Sequence, residues 1–194
     1  MTDASLRPGR RGVLKAPAGL AGAPALVAVP ARRPGAGPPR APQARPRAAE
    51  FDFLSGEWRI RNRRLKAPGD WDEFDGEATC WRILGGVASV EELRIPARDF
   101  SGMGLRTLDA ANGVWLDYWM NARTGVPGST GTPGPFVDGV GDFDAAETDG
   151  QGPVIYRGCW DQITATSCRW RQGASRDGGA TWDWNWIMQW SRVA

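Results

Sequence analysis

The residues of this chain that could do chemistry are arginines, carboxylates and amides that alternate with aromatic residues. If Trp58 points into a protein interior, strict alternation along an extended chain turns Asn62 and Arg64 inward as well. An inward Trp119 brings Asp117 with it in the same way. Apolar walls that carry a few polar groups are typical of a pocket for an amphipathic molecule.

The first functional hypothesis is therefore a module that binds a small apolar or amphipathic ligand. Its expected walls are Trp81, Trp119, Trp160, Trp170, Trp186 and Met188. Its expected polar anchors are Asn62, Arg64, Asp117, Tyr118 and Arg123. The competing structural interpretation is that the tryptophans are core residues and that Arg64 pairs with Asp117.

Two further functions stay open. In an enzyme, Glu91, Glu92, Asp117 and Tyr118 would do acid–base work if burial raised the pKa of a carboxyl group, although none is assigned as catalytic. Paired inward carboxyls without a compensating arginine would favour this hypothesis. A glycan-binding or surface interaction protein would instead expose several tryptophans in one plane.

The chain contains no histidine. This removes the usual general base, the usual zinc and haem ligand and every histidine-dependent catalytic triad. We expect no metal and no cofactor, with haem or zinc bound through histidine excluded.

The elements that must position these residues are β-strands. Thr181 to Arg192 alternates strictly, which places Trp182, Trp184, Trp186, Met188, Trp190 and Arg192 on one predicted face. Nine runs have strand character: 57–65, 74–84, 87–95, 103–108, 114–121, 136–143, 154–161, 166–172 and 180–193. Short turns join them, and a meander of this kind hides its edges by closing. The sequence therefore predicts an all-β domain, residues 50–194, folded as an antiparallel up-and-down barrel of about eight to ten strands.

Two segments fall outside these runs. Glu50 to Gly56 is expected to form a short helical turn or a plug, with Phe51, Phe53 and Leu54 capping the bottom of the barrel. Thr124 to Pro135 is rich in glycine and proline and is expected to be a long mobile loop over one mouth.

Residues 1–49 differ in composition from the rest. Residues 1–50 hold nine of the 15 prolines and nine of the 24 Lys and Arg residues, so the remainder carries a net charge of about −5. An acidic domain predicts no nucleic-acid partner, and no apolar stretch is long enough for an integral membrane segment. The oligomeric state is left open.

Arg10 and Arg11, followed by an Ala/Gly-rich run to Ala31, resemble a twin-arginine export signal over 9–31. The alternatives are a disordered tail or a wrongly included start. The domain is accordingly exported or cytoplasmic. Cys159 and Cys168 flank a turn, where they either form a disulfide or, as we favour, pack as buried thiols together with Cys80.

Gly56-Glu57-Trp58 opens the first strand and Arg192 closes the last. The pair resembles the signature of the calycins, which include the lipocalins, where an arginine of the final strand covers a tryptophan of the first. This implies a structural role for Trp58 and Arg192, since a guanidinium stacked on an indole is favourable.

A longer set of motifs resembles one bacterial family over residues 50–194. The motifs are F-D-F-L-S-G-E-W at 51–58, R-N-R-R-L at 61–65, L-G-G at 84–86 leading to Glu91-Glu92, W-L-D-Y-W at 115–119 and D-G-G-A-T-W-D-W-N-W-I-M at 177–188. The family is catalogued as domain of unknown function 1579, with a lipocalin-like barrel and no established activity.

Ser175 to Trp182 also resembles the Asp-box of sialidases, S-x-D-x-G-x-T-W. The resemblance implies structural roles, with Asp177 fixing the turn and Trp182 packing beneath the hairpin. A sialidase propeller needs several copies and a longer chain, so the single copy excludes that activity.

Overall fold

The computed structural model describes residues 47–127 and 130–193. Eleven strands form one antiparallel sheet. They are β1 (Gly56–Ala67), β2 (Asp70–Ile83), β3 (Ala88–Ile95), β4 (Phe100–Asp109), β5 (Val114–Asn121), β6 (Thr132–Gly134), β7 (Phe136–Val137), β8 (Val140–Asp149), β9 (Gly152–Asp161), β10 (Ser167–Ser175) and β11 (Asp183–Arg192). Three 3₁₀ turns interrupt them, at Asp52–Leu54, Leu84–Gly86 and Pro96–Arg98.

The strands follow one another around a barrel. The sheet order is β6-β5-β4-β3-β2-β1-β11-β10-β9-β8-β7, so β1 pairs with both β2 and β11 and joins the two ends of the domain. The edge strand β6 approaches β8 at Gly134, where any side chain would collide with the Asp142 carbonyl and the Phe143 ring. The expected all-β, up-and-down antiparallel barrel is confirmed, and the barrel is nearly closed.

The number of strands exceeds the expected eight to ten for two local reasons. The segment predicted to be a long loop contains β6, a three-residue edge strand paired with β5, and an edge tolerates Pro133 because it demands fewer N–H donors. The run predicted over 136–143 is two strands. Asp138 and Gly139 both have positive φ, 50° and 78°, and form the tight turn between β7 and β8.

The final strand contains a bulge that the alternation does not reveal. Trp186 pairs with Gln172 and Trp184 pairs with Gly173, so Asn185 is an extra residue without a partner in the ladder. The prediction that Trp182, Trp184 and Trp186 share one face is therefore wrong. Trp186 is buried inside, whereas Trp184 lies over Gly173 on the outer face.

The plug at the start of the domain is confirmed. Phe51 and Leu54 are buried, and the Phe51 ring meets the rings of Trp115 and Phe136 edge-on, at 5.0 Å in each case. We call this closed end of the barrel the lower end, and the opposite end, at the β1–β2 turn, the upper end.

All three cysteines are free and buried, so the suggested bridge does not form. In the β9–β10 ladder Cys159 pairs with Arg171, which leaves Cys168 on the opposite face of the sheet. Burial raises the pKa of Cys159 and Cys168 to about 12. The twin-arginine interpretation of residues 9–31 lies outside the described residues. Within the described residues, no helix is long and apolar enough to cross a membrane.

Candidate functional site

The register of the strands determines which side chains share the barrel interior. Gly56 pairs with Cys80, Cys80 with Glu91, Glu91 with Gly104 and Gly104 with Trp119, so these positions face the same way as Trp58. The same alternation turns Asn62, Arg64, Arg106, Asp117, Trp160, Trp170, Trp186 and Met188 inward. The interior thus combines an aromatic wall with a small number of charges.

The charges nearest the lower end form one ionic cluster of an arginine and two carboxylates. The Arg106 guanidinium is 2.6 Å from Glu91 and 3.2 Å from Asp117, and the side chains of Arg106 and Glu91 are almost fully buried. Arg106 also lies over the rings of Phe51 and Trp160, 5.6 and 5.3 Å from their centroids. Although burial opposes the charge, the two carboxylates raise the pKa of Arg106 above its usual value.

Two glycines of β4 make room for this cluster. A Cβ at Gly104 would lie 2.9 Å from the Arg106 guanidinium nitrogens, and a Cβ at Gly102 would collide with the ring of Trp119. Gly102 and Gly104 face inward like Arg106, and this alternation of two glycines and an arginine is the sequence signal from which Arg106 could have been identified. The sequence prediction named its partners Glu91 and Asp117 and missed the arginine.

The charge nearest the upper end has no such partner. Arg64 is half-buried, and its guanidinium lies 5.0 Å from the centroid of the Trp186 ring. Asp72 is nearby but forms a pair with Arg98, with both carboxylate oxygens 2.8 Å from Nη2. Among the described residues, no hydrogen-bond acceptor or carboxylate pairs with Arg64. Burial lowers the pKa of Arg64, and the charge of Asp72 offsets this in part.

Aromatic and amide groups continue the wall below Arg64. The Trp186 Nε1 donates to the Asn62 Oδ1 at 3.0 Å, and Trp186 meets the ring of Trp170 edge-on at 5.9 Å. Asn62 is fully buried, and its Nδ2 donor has no acceptor among the described residues. Met188, next to Trp170 in the ladder, is also buried.

A gap in the sheet brings this region close to solvent. β2 pairs with β3 only from Glu77 downward, because the chain leaves β3 at Ile95 and turns through Pro96–Arg98. A groove of about 680 Å³ lies at the unpaired edge, between Phe74 and Gly76 of β2 and the Pro96–Arg98 turn, and the outward charged residues Arg61, Glu73, Asp75 and Glu77 also line it. A Cβ at Gly76 would lie 3.1 Å from the Asn62 Nδ2, so the floor of the groove adjoins the inner amide. The sequence prediction did not identify Phe74, Gly76 or Arg98.

Three predicted ligand-binding residues lie away from the interior. Trp81 is 46 % exposed on the outer face, and Tyr118 lies three strands away on the same face. Arg123 is exposed beyond β5 and donates to the backbone oxygen of Asp99 at 2.9 Å. These three residues do not contact the inner cluster. The suggested Arg64–Asp117 pair is absent, since Asp117 faces Arg106.

Three of the four residues expected to be structural, Trp58, Arg192 and Asp177, lie at the ends of the domain. The Arg192 guanidinium lies 4.2 Å from the centroid of the Trp58 ring and donates to the backbone oxygens of Ser55 and Phe53. The Asp177 carboxylate accepts from the Ser175 Oγ at 2.8 Å and from the N and Oγ1 of Thr181 at 2.9 and 2.6 Å. These hydrogen bonds hold the pKa of Asp177 well below its usual range.

Trp182 is placed differently from the Asp-box expectation of a ring beneath the hairpin. It stacks on Trp184 at 5.8 Å, on the outer face. Arg157 covers Trp182 at 4.1 Å and Arg171 covers Trp184 at 4.0 Å.

The arrangement bears on the other functions. Glu91 and Asp117 share one compensating arginine, and Glu92 pairs with Arg94 on the outer face, so the condition that would favour an enzyme, inward carboxyls without a compensating arginine, is not met. Among the eleven tryptophans, all of which lie in the described residues, Trp81 is the most exposed, and the others are buried or partly buried. Within the described residues, no group of three or more Cys, Asp or Glu residues could hold a metal ion.

By fold and interior, the domain is an all-β antiparallel barrel with a mixed aromatic and charged lining. No protein-family model matches the chain, and no curated protein matches it. Among solved structures, it is similar to a protein with unknown function from the DUF3598 family of Nostoc punctiforme PCC 73102. The two are 12 % identical, the match covers 74 % of this chain and 48 % of that one, and the TM-score is 0.40. The chain thus spans about half the length of that protein, and a likeness of this degree says nothing about ligand or activity.

Proposed function

We propose that the barrel binds a small amphipathic anion in the upper half of its interior. The observation that carries the proposal is the half-buried guanidinium of Arg64, which has no ion-pair partner among the described residues. Burying an unpaired charge is costly, and a bound carboxylate would recover that cost through charge-assisted hydrogen bonds. The apolar part of the ligand would pack along Trp186, Trp170 and Met188.

The hydrogen-bonding groups that lack partners support an anionic or acceptor-rich ligand. Asn62 Nδ2, Trp160 Nε1 and Trp190 Nε1 are buried donors without an acceptor among the described residues. Each unsatisfied buried donor costs about 1–3 kcal/mol. A ligand that brings an acceptor past Arg64 would complement the Asn62 donor, whereas Trp160 and Trp190 lie nearer the plug, against Phe53 and Trp58.

The groove beside β2 supports a route for such a ligand. It lies between the strand edge and Pro96–Arg98, and it reaches Gly76, next to the Asn62 amide. The ligand would enter past Arg98, whose guanidinium would have to leave its place 4.9 Å over the Phe74 ring, and its acidic group would enter last and remain at Arg64.

We also propose that the chain is related to the calycins through the domain of unknown function 1579 family. The contact between Arg192 and Trp58 supports this assignment, together with the motifs of residues 50–194. A binding barrel is the role that this relationship would imply.

The test is calorimetric titration of the full chain with dodecanoate and 2-naphthoate, each compared with its neutral alcohol. Arg64→Met is the test variant and Arg63→Met is the control. Arg63 immediately precedes Arg64 and faces outward. Its guanidinium lies 5.0 Å from the ring centroid of Trp71, the same distance as that of Arg64 from the ring centroid of Trp186. The two changes therefore remove the same chemical group from opposite faces of one strand.

We expect at least one carboxylate to bind, its alcohol to bind at least tenfold more weakly, and Arg64→Met to weaken carboxylate binding by roughly 10- to 100-fold. Arg63→Met should bind like the native chain. The proposal is overturned if neither carboxylate binds, if acid and alcohol bind equally, or if the two variants bind alike.

A further inference from the structure

Asp72 lies between two arginines and pairs with the one that is more distant along the chain. In the β1–β2 ladder Asp72 is the direct partner of Arg64, and Arg64 is in turn the direct partner of Trp186 on β11. Directly opposed residues of antiparallel strands face the same way, with their Cβ atoms about 5 Å apart. A carboxylate and a guanidinium at that spacing are close enough to form an ion pair.

The observed pairing is different. Both carboxylate oxygens of Asp72 accept from the Arg98 Nη2 at 2.8 Å, whereas the Arg64 guanidinium lies 5.0 Å from the centroid of the Trp186 ring. Burial lowers the pKa of Arg64, and the charge of Asp72 offsets only part of that effect. The cross-strand ion pair that the register allows is therefore not formed.

Arg98 reaches Asp72 because β3 ends early. β3 stops at Ile95, and the 3₁₀ turn Pro96–Arg98 lies beside the edge of β2 that β3 leaves unpaired. There the Arg98 guanidinium lies 4.9 Å from the centroid of the Phe74 ring and binds Asp72. The side chains of Asp72 and Arg98 are 25 % and 31 % exposed, so water and salt screen this pair less than one on the open surface.

The ion pair of Arg98 determines whether Arg64 is free. Without the Arg98 guanidinium, the arginine that the ladder places beside Asp72 is Arg64. An ion pair with Asp72 would draw Arg64 away from Trp186 and compensate the charge that attracts an anionic ligand. The acid of a ligand would then have to displace Asp72 before it could bind.

We propose that Arg98 is a positioning residue, which holds Asp72 away from Arg64 and thereby keeps Arg64 available to an anionic ligand. This inference rests on the proposed function of the upper half of the barrel. Arg98 returns to Asp72 once a ligand has passed the Phe74 ring, so that Asp72 does not compete with the bound acid.

The first test needs no ligand. Arg64→Met is introduced into the native chain, into Arg98→Met and into the double variant of Arg98→Met with Asp72→Asn, and urea denaturation gives each midpoint. We expect Arg64→Met to leave the native midpoint nearly unchanged and to lower the midpoint of Arg98→Met by roughly 0.3–0.5 M. Once Asp72 is neutral, Arg64→Met should again have little effect, because no new ion pair is lost.

Arg169→Met provides the matched control background, since Arg169 binds Asp161 at 2.7 and 2.8 Å on the outer face of the barrel. Arg64→Met should act there as it does in the native chain. Arg98→Gln replaces Arg98→Met if circular dichroism shows that the methionine variant is unfolded. If Arg64→Met has the same effect with and without Arg98, Asp72 does not change partner and the proposal is overturned.

The second test is calorimetric titration with dodecanoate. Arg98→Met should weaken binding by roughly five- to tenfold, and the addition of Asp72→Asn should restore it. All three chains should bind dodecanol alike. Weaker binding that Asp72→Asn does not restore overturns the positioning role of Arg98. If neither dodecanoate nor 2-naphthoate binds the native chain, the proposed function is overturned, whereas the urea experiment still decides whether Arg98 holds Asp72 away from Arg64.

Discussion

The two halves of the barrel interior use arginine in opposite ways. Near the plug, Arg106 is buried between Glu91 and Asp117 and between two aromatic rings, so its charge is fully compensated. Near the upper end, Arg64 lies on Trp186 without an ion pair, because the nearby Asp72 is bound to Arg98, and it is beside a gap in the sheet. A charge that is paired within the protein serves the fold, whereas a charge left unpaired close to solvent is available to a ligand.

The largest expected difference between the halves is in the cost of losing each arginine. Arg106→Met would leave the buried Glu91 and the partly exposed Asp117 without their shared counter-charge and should lower the free energy of unfolding by about 3–5 kcal/mol. Arg64→Met leaves no such carboxylate, so we expect a change within about 1 kcal/mol. Urea denaturation of both variants measures the difference, and equal costs would contradict the contrast.

Glycines allow a second comparison of the two ends. Gly56 has a φ of 121°, and a Cβ there would lie 2.7 Å from the Arg192 Nη1, in the contact that covers Trp58. Gly56→Ala should therefore cost about 1–3 kcal/mol in urea denaturation. Gly150, in the β8–β9 turn at the upper end, has no atom within 4 Å of its Cβ position. Gly150→Ala should change stability by less than about 0.5 kcal/mol, and a similar cost at both positions would contradict this account of the lower end.

Much of the fold follows from alternation and turn chemistry. The pattern Trp58-x-Ile60-x-Asn62 assigns β1 its inner face, and that face is buried. The bulge at Asn185 is not visible in the sequence, because it depends on how β11 meets Gly173 of another strand. The β7–β8 turn was missed although Asp138-Gly139 between two valines is a strong hairpin signal.

The candidate site was predictable only in part. Alternation placed Asn62, Arg64 and Asp117 inside, but their partners depend on the register between distant strands. Asp117 therefore meets Arg106 rather than Arg64. The gap beside Gly76 arises because β3 ends early against β2, which no single segment encodes.

The smallest expected effect concerns the rim of the upper end. The hydrogen bond from Arg176 lowers the pKa of Asp149 to about 2 in the folded protein. This stabilisation is complete above the ordinary aspartate pKa of about 4 and is lost as the pH falls through 2. Melting temperatures should therefore drop less between pH 5 and pH 2 in Asp149→Asn and Arg176→Gln than in the native chain. An unchanged pH dependence would show that this pair does not hold the rim.

The most direct test of an upper-half binding site is the response of the indole N–H signals during titration of the ¹⁵N-labelled full chain with dodecanoate. Trp186 donates to Asn62 beneath Arg64, whereas Trp58 donates to the Leu54 carbonyl and Trp115 to Glu50 near the plug. We expect the Trp186 signal to shift with saturation and the Trp58 and Trp115 signals to stay in place. Shifts confined to Trp58 and Trp115, or no shift at all, would contradict the account.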